Sequence, residues 1–314
     1  MSLSRDSLQS LRCVECRTGS LDDRGTALIC KGCAALFPKA AGAPILLRRD
    51  NPFFAAQTVM DTGTSGFNPT VAWIARLLPG ITLIRPSITE LVERGLRRLS
   101  GEGRRCLVIG GGDSAAANAR IRAALPDTIV SDVVAGADVD MICDGHDLPF
   151  QDDTLDLVVI TQVLEHVLDP QRVVEEISRA LRPGGLVVAT TPFMEQVHMG
   201  AHDFQRFTDL GHRWLFRNFE EIERGNCSGP GSALLWSIEF FARSLCPSYR
   251  AALVASGLVR LFLFWIKYAD LLMLRLPGTY DAAGAYYFLG LNAKRAVIDP
   301  GALLRQYRGI KRAA

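Results

Sequence analysis

A short run of branched apolar residues that breaks onto three consecutive glycines restricts this chain more than any other stretch. Cys106, Leu107, Val108 and Ile109 make the kind of run that a strand buried on both faces needs, and it stops at Gly110-Gly111-Gly112-Asp113-Ser114. The alanine-rich segment from Ala115 to Leu125 follows and ends at Pro126, so the glycines fall where a helix opens and its free N–H groups can face a ligand. A second strand, Thr128 to Ser131, ends at Asp132. From Gly112 to Asp132 is the roughly 20-residue interval at which a nucleotide-binding half-sheet sets an acid against ribose hydroxyls.

Taken alone, Gly110-x-Gly112-x-x-Ala115 also fits a dinucleotide site, which leaves an NAD-dependent oxidoreductase open. The next segments separate the readings. Val139 to Cys143 is a third strand ending at Asp144-Gly145, Leu155 to Thr161 a fourth, and Leu186 to Thr190 a fifth. Asp169 before Pro170 is a helix N-cap with proline at the first helical position, and Val173, Val174, Ile177, Ala180 and Leu181 give that helix one apolar face. The stretch DGHDLPFQDDTLDLVVITQVLEHVLDP, followed by ISRALRPGGLVVATTP, resembles the class I S-adenosylmethionine (SAM) methyltransferases, in the group that includes small-molecule O- and C-methyltransferases. The resemblance covers roughly residues 104 to 192, with several motifs in the family's order.

That resemblance implies roles by position. Gly110, Gly112 and Ser114 would form the turn under the methionine part of SAM, Asp132 would bind the ribose hydroxyls, and Asp144 with Gly145 would border the adenine. Ser114 stands where the family usually has its third glycine, and Val108 where many members have an acid, so Asp113 or a backbone carbonyl would receive the cofactor's ammonium group. The implied fold is a Rossmann-like, seven-stranded, mostly parallel α/β sheet over residues 104–314. Its sixth strand is expected at Glu221 to Arg224, a last strand at Ala285 to Leu291, and an apolar helical insertion at about 232–278. The rivals are the oxidoreductase and a methyltransferase-like scaffold without catalysis.

Ahead of this unit, Cys13-Val14-Glu15-Cys16 and Cys30-Lys31-Gly32-Cys33 are two C-x-x-C knuckles with residues 17–29 between them, close to the spacing at which four thiolates close a tetrahedral zinc site. A segment this short cannot bury a core of its own, and a metal supplies the missing folding free energy. Four cysteines leave no open coordination position, so the zinc would be structural. Cys13 to Leu47 resembles the Trm112-like zinc ribbon, a module known to accompany methyltransferases as a partner or fused domain. The chain then divides into a ribbon over 1–48, a helical cap or connector over 49–103, and the α/β unit. Within the connector, Asp61 to Pro69 reads as loop, Val71 to Leu78 as a short helix, and Ser87-Ile88-Thr89-Glu90 as a capping box opening a helix to Leu99. Met1-Ser2-Leu3-Ser4-Arg5-Asp6 has no apolar signal core, so the eight cysteines are expected in a reducing cytoplasm.

After the fifth strand, the loop from Val197 to Thr208 lies at the carboxyl edge of the sheet, where open α/β folds place their ligands. It resembles a loop in methyltransferases of surface-polysaccharide and other glycan pathways. Histidine suits proton transfer near neutral pH, which makes His198 or His202 the candidate general base for an acceptor oxygen. Some members of the resembled family use Glu-x-x-Glu-His plus a later His to hold a divalent ion near the acceptor oxygen; here Gln162 replaces the first Glu, and Glu165-His166 is read as capping and supporting the loop after the fourth strand. Ala251 to Leu276 is unusually apolar, but Arg260, Lys267 and Asp270 are expected to interrupt it before a bilayer span, leaving a lid, a dimer surface or contact with a membrane surface. With 35 Lys plus Arg against 33 Asp plus Glu, the net charge of +2 gives no footprint for broad nucleic-acid binding, although Arg305, Arg308, Lys311 and Arg312 make the tail basic. The expected acceptor is a hydroxylated small molecule, such as a sugar or lipid-linked glycan, rather than RNA.

Overall fold

Strands of branched apolar residues alternate with amphipathic helices and assemble into one mixed sheet. A computed structural model describes residues 3–52, 78–99 and 104–310. The loop expected over 61–69 and the helix expected over 71–78, apart from Leu78, lie outside the described residues.

At the N-terminus, α1 (Arg5–Gln9) is capped by the Ser4 hydroxyl and precedes a small antiparallel meander of β1 (Leu21–Asp23), β2 (Ala27–Cys30) and β3 (Leu36–Ala40). Ala41 and Gly42, with φ of 50° and 88°, then make a tight hairpin turn of the type whose two central residues both need positive φ. The turn leads into β4 (Ala43–Leu46), buried along its whole length. β4 pairs antiparallel with β3 on one edge and parallel with a strand of the α/β unit on the other, through Ile45 opposite Ile142 and Leu46 opposite Cys143.

The α/β unit is preceded by α2 (Ile88–Leu96), which opens on the expected capping box: the Ser87 hydroxyl accepts from the Glu90 N–H, and the Glu90 carboxylate accepts from the Ser87 N–H. Then come β5 (Arg105–Ile109), α3 (Ala115–Ala124), β6 (Asp127–Asp132), β7 (Met141–Cys143), β8 (Leu155–Thr161), α4 (Pro170–Ala180), β9 (Leu181–Pro192), α5 (Asp209–Leu215) and β10 (Phe219–Ser228). A helical segment follows, with α6 (Pro230–Ser244), α7 (Tyr249–Leu263), a 3-10 stretch (Phe264–Ala269) and α8 (Asp270–Met273), and β11 (Ala285–Asn292) closes the sheet. The strand order is β4-β7-β6-β5-β8-β9-β11-β10, parallel except that β11 runs antiparallel to both β9 and β10.

The α/β unit thus supplies the seven strands expected, but the hydrogen-bonded sheet does not stop there. β4, from the cysteine-bearing segment, extends it by an eighth strand and links it to the β1–β3 meander. Leu11, Leu28, Phe37 and Leu46 are buried in the same apolar cluster as Phe150, Val173 and Phe216 of the α/β unit. Burying each such side chain stabilises by roughly 1.5–3 kcal/mol. Arg12 adds a charged anchor, donating at 3.1 Å both to Asp147 and to Glu176 of α4. The segment that carries the cysteines therefore shares its core with the rest of the chain.

The three charges expected to interrupt the apolar stretch are paired instead. Asp270 is fully buried and caps the N-terminus of α6, accepting from the N–H groups of Gly231 and Ser232 and from the Ser232 hydroxyl. Arg260 forms a two-pronged pair with buried Glu239 of α6, at 3.0 Å on each prong, and Lys267 donates to the Gly80 carbonyl. By length and composition the segment Tyr249–Met273, with a mean hydropathy of 1.5, is long and apolar enough to cross a membrane, contrary to the expectation from its charges. Its outer face carries Phe262, 65% exposed, and Leu272, 83% exposed, together with Val254, Leu258 and Trp265.

Candidate functional site

The glycine turn after β5 is shaped by what stands against it. Gly110 has φ of 71°, and a Cβ there would lie 2.2 Å from Cγ2 of Val163, so only glycine lets the loop after β8 rest on the turn. The N–H groups of Gly110 and Gly111 both donate to the Ser131 carbonyl, at 2.9 and 3.1 Å. Asn118 of α3, buried, donates from Nδ2 to the Gly111 carbonyl at 2.8 Å and to Asp138 at 2.7 Å, fixing the turn to the helix behind it. Ser114 stands at the N-cap of α3 and makes no side-chain cap bond.

Asp132 at the end of β6 faces that turn. Its Oδ2 accepts from the Gly112 N–H at 2.8 Å, while Oδ1 accepts from the N–H groups of Val133 and Val134 at 2.7 and 3.2 Å. A Cβ on residue 112 would come within 2.7 Å of that carboxylate, so the glycine keeps the space between turn and acid open. One strand further on, buried Asp144 caps the 3-10 turn Gly145–Asp147. Its carboxylate accepts from Asn51 at 2.8 Å and faces Nδ1 of His146 at 2.6 Å. Burial works to raise the Asp144 carboxyl, and the hydrogen bonds from His146 and Asn51 outweigh it, holding the group below the usual carboxylate range. Gly110, Gly112, Ser114, Asp132, Asp144 and Gly145 thus fall at or just beyond the carboxyl ends of the neighbouring strands β5, β6 and β7.

A second group forms where β8 ends. Gln162 turns with a left-handed φ of 53°, a conformation costly for a residue with a side chain and typical of functional turns. Three residues on, Glu165 is 0% exposed, and neither carboxylate oxygen has a hydrogen-bond partner among the described residues. Burial pushes its carboxyl up to about 8 and pulls His166 below the ordinary imidazole range. Nε2 of His166 lies 3.1 Å from Nε2 of His198, and the two lie 3.6 and 3.9 Å from Oε1 of Glu165.

The two histidines proposed from the loop are used differently. His198 brings its ring into this group, whereas His202 is exposed and contributes its backbone carbonyl, which faces Nδ1 of His166 at 2.7 Å. The loop between them is knit by its own ion pair. Arg206 binds both carboxylate oxygens of Asp203 and donates to the carbonyls of Glu195 and Gln196, so neither Asp203 nor Arg206 is spare for a ligand. α6 packs beside it, with Gln196 donating to Ser237 at 3.0 Å and Trp236 lying 6.1 Å from the His198 ring. Sequence reasoning missed the pairing of His166 with His198 and the isolation of Glu165; the only local signal was an acid and a histidine directly after a strand.

The cysteine set closes as its spacing predicts. The four Sγ atoms lie within 4.8 Å of one another, with Cys13–Cys33 and Cys16–Cys30 both at 3.7 Å. A tetrahedron of Zn–S bonds of about 2.3 Å has edges of about 3.8 Å. The N–H of Gly19 points at the Cys16 sulfur, and those of Gly32 and Cys33 at the Cys30 sulfur, at 3.3–3.4 Å, the donors that thiolates bound to a metal require. Left-handed Arg17 and Ala34, φ 63° and 57°, close the two knuckles. The residues fit a structural zinc. Cys106 and Cys143 are buried elsewhere, and burial pushes both thiols up to about 12, outside any ligand role.

Comparison with known proteins gives the same reading of the central unit. Residues 97–189 match the profile of a family described as a methyltransferase domain. A demethylmenaquinone methyltransferase of Clavibacter sepedonicus is 40% identical over 60 residues, 18% of this chain and 24% of that protein. A protein of Mycolicibacterium smegmatis described as a probable S-adenosylmethionine-dependent methyltransferase is 46% identical over 46 residues, 15% of this chain and 18% of that protein. The chain spans about a quarter or less of these relatives. Among solved structures, the geranyl diphosphate C-methyltransferase from Streptomyces coelicolor is similar with a TM-score of 0.43 and 14% identity over 75% of this chain and 84% of that one. A chain of the complex between the Haloferax volcanii Trm112 methyltransferase activator and a methyltransferase gives 0.41 and 19%, over 70% and 94%. The motif order, the 3-2-1-4-5-7-6 order of the seven strands β7-β6-β5-β8-β9-β11-β10 and the matched profile agree: residues 97–189 are a methyltransferase domain of the class I, SAM-dependent kind on a Rossmann-like sheet.

Proposed function

We propose that this protein transfers the methyl group of SAM to a hydroxyl oxygen of a small molecule, a sugar or a lipid-linked glycan. The observation that carries the transfer reading is the glycine turn set against Asp132, with the Gly112 N–H on the carboxylate at 2.8 Å. The ribose hydroxyls would take the place of that N–H as donors to Asp132, the methionine end would lie over Gly110 to Ser114, and the adenine would lie beside the backbone of Asp144 and Gly145. Transfer is an in-line displacement: the acceptor oxygen forms a bond to the methyl carbon, the carbon–sulfur pair returns to sulfur, and the hydroxyl proton leaves. The protein therefore has to align two ligands, exclude water and receive one proton. Of the two candidate bases, His198 supports the reading, since its ring stands in the group beside the turn, and His202 does not.

The acceptor class draws support from two features. The group at the end of β8 is polar and lies next to the cofactor turn through the contact of Val163 with Gly110. The outer face of α7 and α8 is apolar and exposed, with Arg260, Lys267 and Asp270 turned to Glu239, Gly80 and the N-terminus of α6, which suits a helix lying on a lipid surface beside a lipid-borne acceptor. A cytoplasmic protein peripheral to a membrane is the corresponding location. Incubation with labelled SAM and fractionated native extract, separated into lipid-soluble, small polar and RNA pools, tests this: label in a glycan or lipid-linked pool supports the proposal, and label confined to RNA overturns it.

A further inference from the structure

We propose that the cleft between β10 and residues 305–310 receives the phosphate of an anionic phospholipid headgroup, with the apolar face of Tyr249–Met273 resting in the same lipid surface. The cleft, of about 490 Å³, is lined by Arg224, Arg305 and Arg308 together with Glu221, Gln306 and Tyr307. Arg224 lies at its depth, with a side chain 2% exposed. Its Nη2 donates to the Gln306 carbonyl at 2.8 Å, while Nε and Nη1 have no hydrogen-bond partner among the described residues. A guanidinium carries five N–H donors, and leaving them unmet in a buried place is costly.

The acids at hand do not meet that demand. Asp209 and Glu221 each stand 3.6 Å from Arg224, beyond hydrogen-bond reach. Glu221 is divided further, with Arg213 at 3.0 Å and Arg308 at 3.1 Å. Burial pushes the Asp209 carboxyl up, which makes it the weaker counter-charge. Asp281 is taken by the Tyr307 hydroxyl and by the Ile310 N–H, so it fixes the C-terminal segment in place. A phosphate supplies what is missing: negative charge, and oxygens that accept paired N–H groups from a guanidinium fork.

The surroundings point to a lipid as the source of that phosphate. Directly after the arginines, the same segment enters a second cleft of about 460 Å³, lined by Met273, Leu276, Pro277, Thr279 and Ile310. Ile310 rests on Gly278, where a Cβ would lie 2.9 Å from its Cδ1. Leu276, Leu304 and Ile310 are exposed beside the clefts and carry on the apolar face that ends at Leu272. Phosphate donors followed by an apolar cleft match a phospholipid from headgroup to acyl chain, whereas a free phosphate would leave the second cleft unused. The charge of the neighbouring helices also suits an anionic surface. Over residues 240–276 the sole acid, Asp270, is buried, while Arg250 and Arg275 are exposed. This inference rests on the reading of Tyr249–Met273 as the membrane-facing surface, and adds the chemistry of the lipid it meets.

The test is sedimentation of the full-length protein with vesicles of phosphatidylcholine alone and of phosphatidylcholine mixed with phosphatidylglycerol. Calorimetry with inorganic phosphate accompanies it. The wild type is expected to prefer the anionic vesicles, and Arg305→Gln and Arg308→Gln should each lower that preference about fivefold. Arg120→Gln, exposed on α3, should leave it unchanged, and binding to phosphatidylcholine alone should be the same in all four proteins. Equal SAM affinity shows that the variants are folded, and Arg305, exposed on the rim, keeps the test decisive should Arg308→Gln disturb the fold. An anionic preference that survives Arg305→Gln, or that Arg120→Gln lowers equally, overturns the cleft as the headgroup site and leaves membrane contact through Tyr249–Met273 standing. Phosphate binding that Arg305→Gln removes without touching the vesicle preference would make the ligand a free phosphate and overturns the inference as well. A wild type that sediments with neither vesicle overturns the membrane reading itself.

Discussion

The two groups of metal-type ligands in this chain differ in how they are finished. The four cysteines enclose a centre from all sides, and backbone N–H groups already point at two of the sulfurs. Glu165, His166 and His198 approach from one side only, and the acid among them has no hydrogen-bond partner among the described residues. A closed set is satisfied by its metal and lends the fold stability. An open set keeps unspent coordination and holds a buried acid whose carboxyl is pushed up to about 8, which is a state that function, not folding, explains.

That contrast can be broken by removing one ligand from each set. Cys30→Ser should abolish the zinc and cost stability on the scale of the whole domain, roughly 5–15 kcal/mol, because β4 and Leu11, Phe37 and Leu46 tie the cysteine segment into the main sheet and core. Elemental analysis with thermal unfolding checks both. Equal metal in variant and wild type removes the cysteine assignment, and an unchanged main transition makes the ribbon a detachable module.

A buried histidine outside both groups supplies the reference for what a buried side chain costs without a ligand. His212 of α5 titrates near 6.5 in an unfolded chain, and burial with neighbouring Arg224 and Arg213 lowers it to about 3 in the folded one. Its stabilising contribution is complete above pH 6.5 and falls as the pH drops towards 3, since only the unfolded chain takes the proton in that window. The slope is roughly 1.4 kcal/mol per pH unit, so about 3 kcal/mol disappears between pH 6.5 and 4.5. Denaturant unfolding of wild type and His212→Leu at pH 7, 5.5 and 4.5 should show a steeper acid loss in the wild type; parallel curves would contradict it.

At the open set the sign should reverse. After dialysis against a chelator too weak to strip four thiolates, Glu165→Met should raise stability by about 1–3 kcal/mol, since it removes an unpartnered buried carboxylate and keeps the volume. A loss of that size would mean that Glu165 supports the fold, as the sequence reading had it.

How far each region could be read from sequence follows from where its partners lie. The cysteine knuckles and the Ser87–Glu90 box are local patterns set by residue spacing, and each takes its expected form, while the glycine turn and Asp132, also placed by spacing, come to face each other. His166 and His198 meet only because β8 and β9 are neighbours in the sheet, and no spacing rule reports that. Arg206 lies in the loop expected at the ligand edge of the sheet, but nearby Asp203 engages its guanidinium. Asp270 and Arg260 read as breaks in an apolar stretch because their partners, the N-terminus of α6 and Glu239, come earlier in the chain.

The smallest stability effect is expected on the outer face of the apolar segment. Phe262→Glu and Leu272→Glu should each shift stability by no more than about 0.5 kcal/mol, given the side chains' exposure, while abolishing sedimentation with anionic lipid vesicles. Undiminished vesicle binding in both variants would place membrane contact elsewhere.

The measurement that bears most directly on the account is a calorimetric titration of the full chain with SAM, its demethylated product and NAD(H), repeated on Asp132→Ala. Micromolar binding of both sulfur ligands, no binding of NAD(H), and a loss of roughly 1.5–3 kcal/mol for each charged hydrogen bond removed with Asp132 is the result expected from the cradle of Gly110, Gly112 and Asp132. Binding of NAD(H) without SAM would make the protein an oxidoreductase, binding of neither would make it a scaffold, and an Asp132→Ala variant with unchanged SAM affinity would take the ribose site away from Asp132.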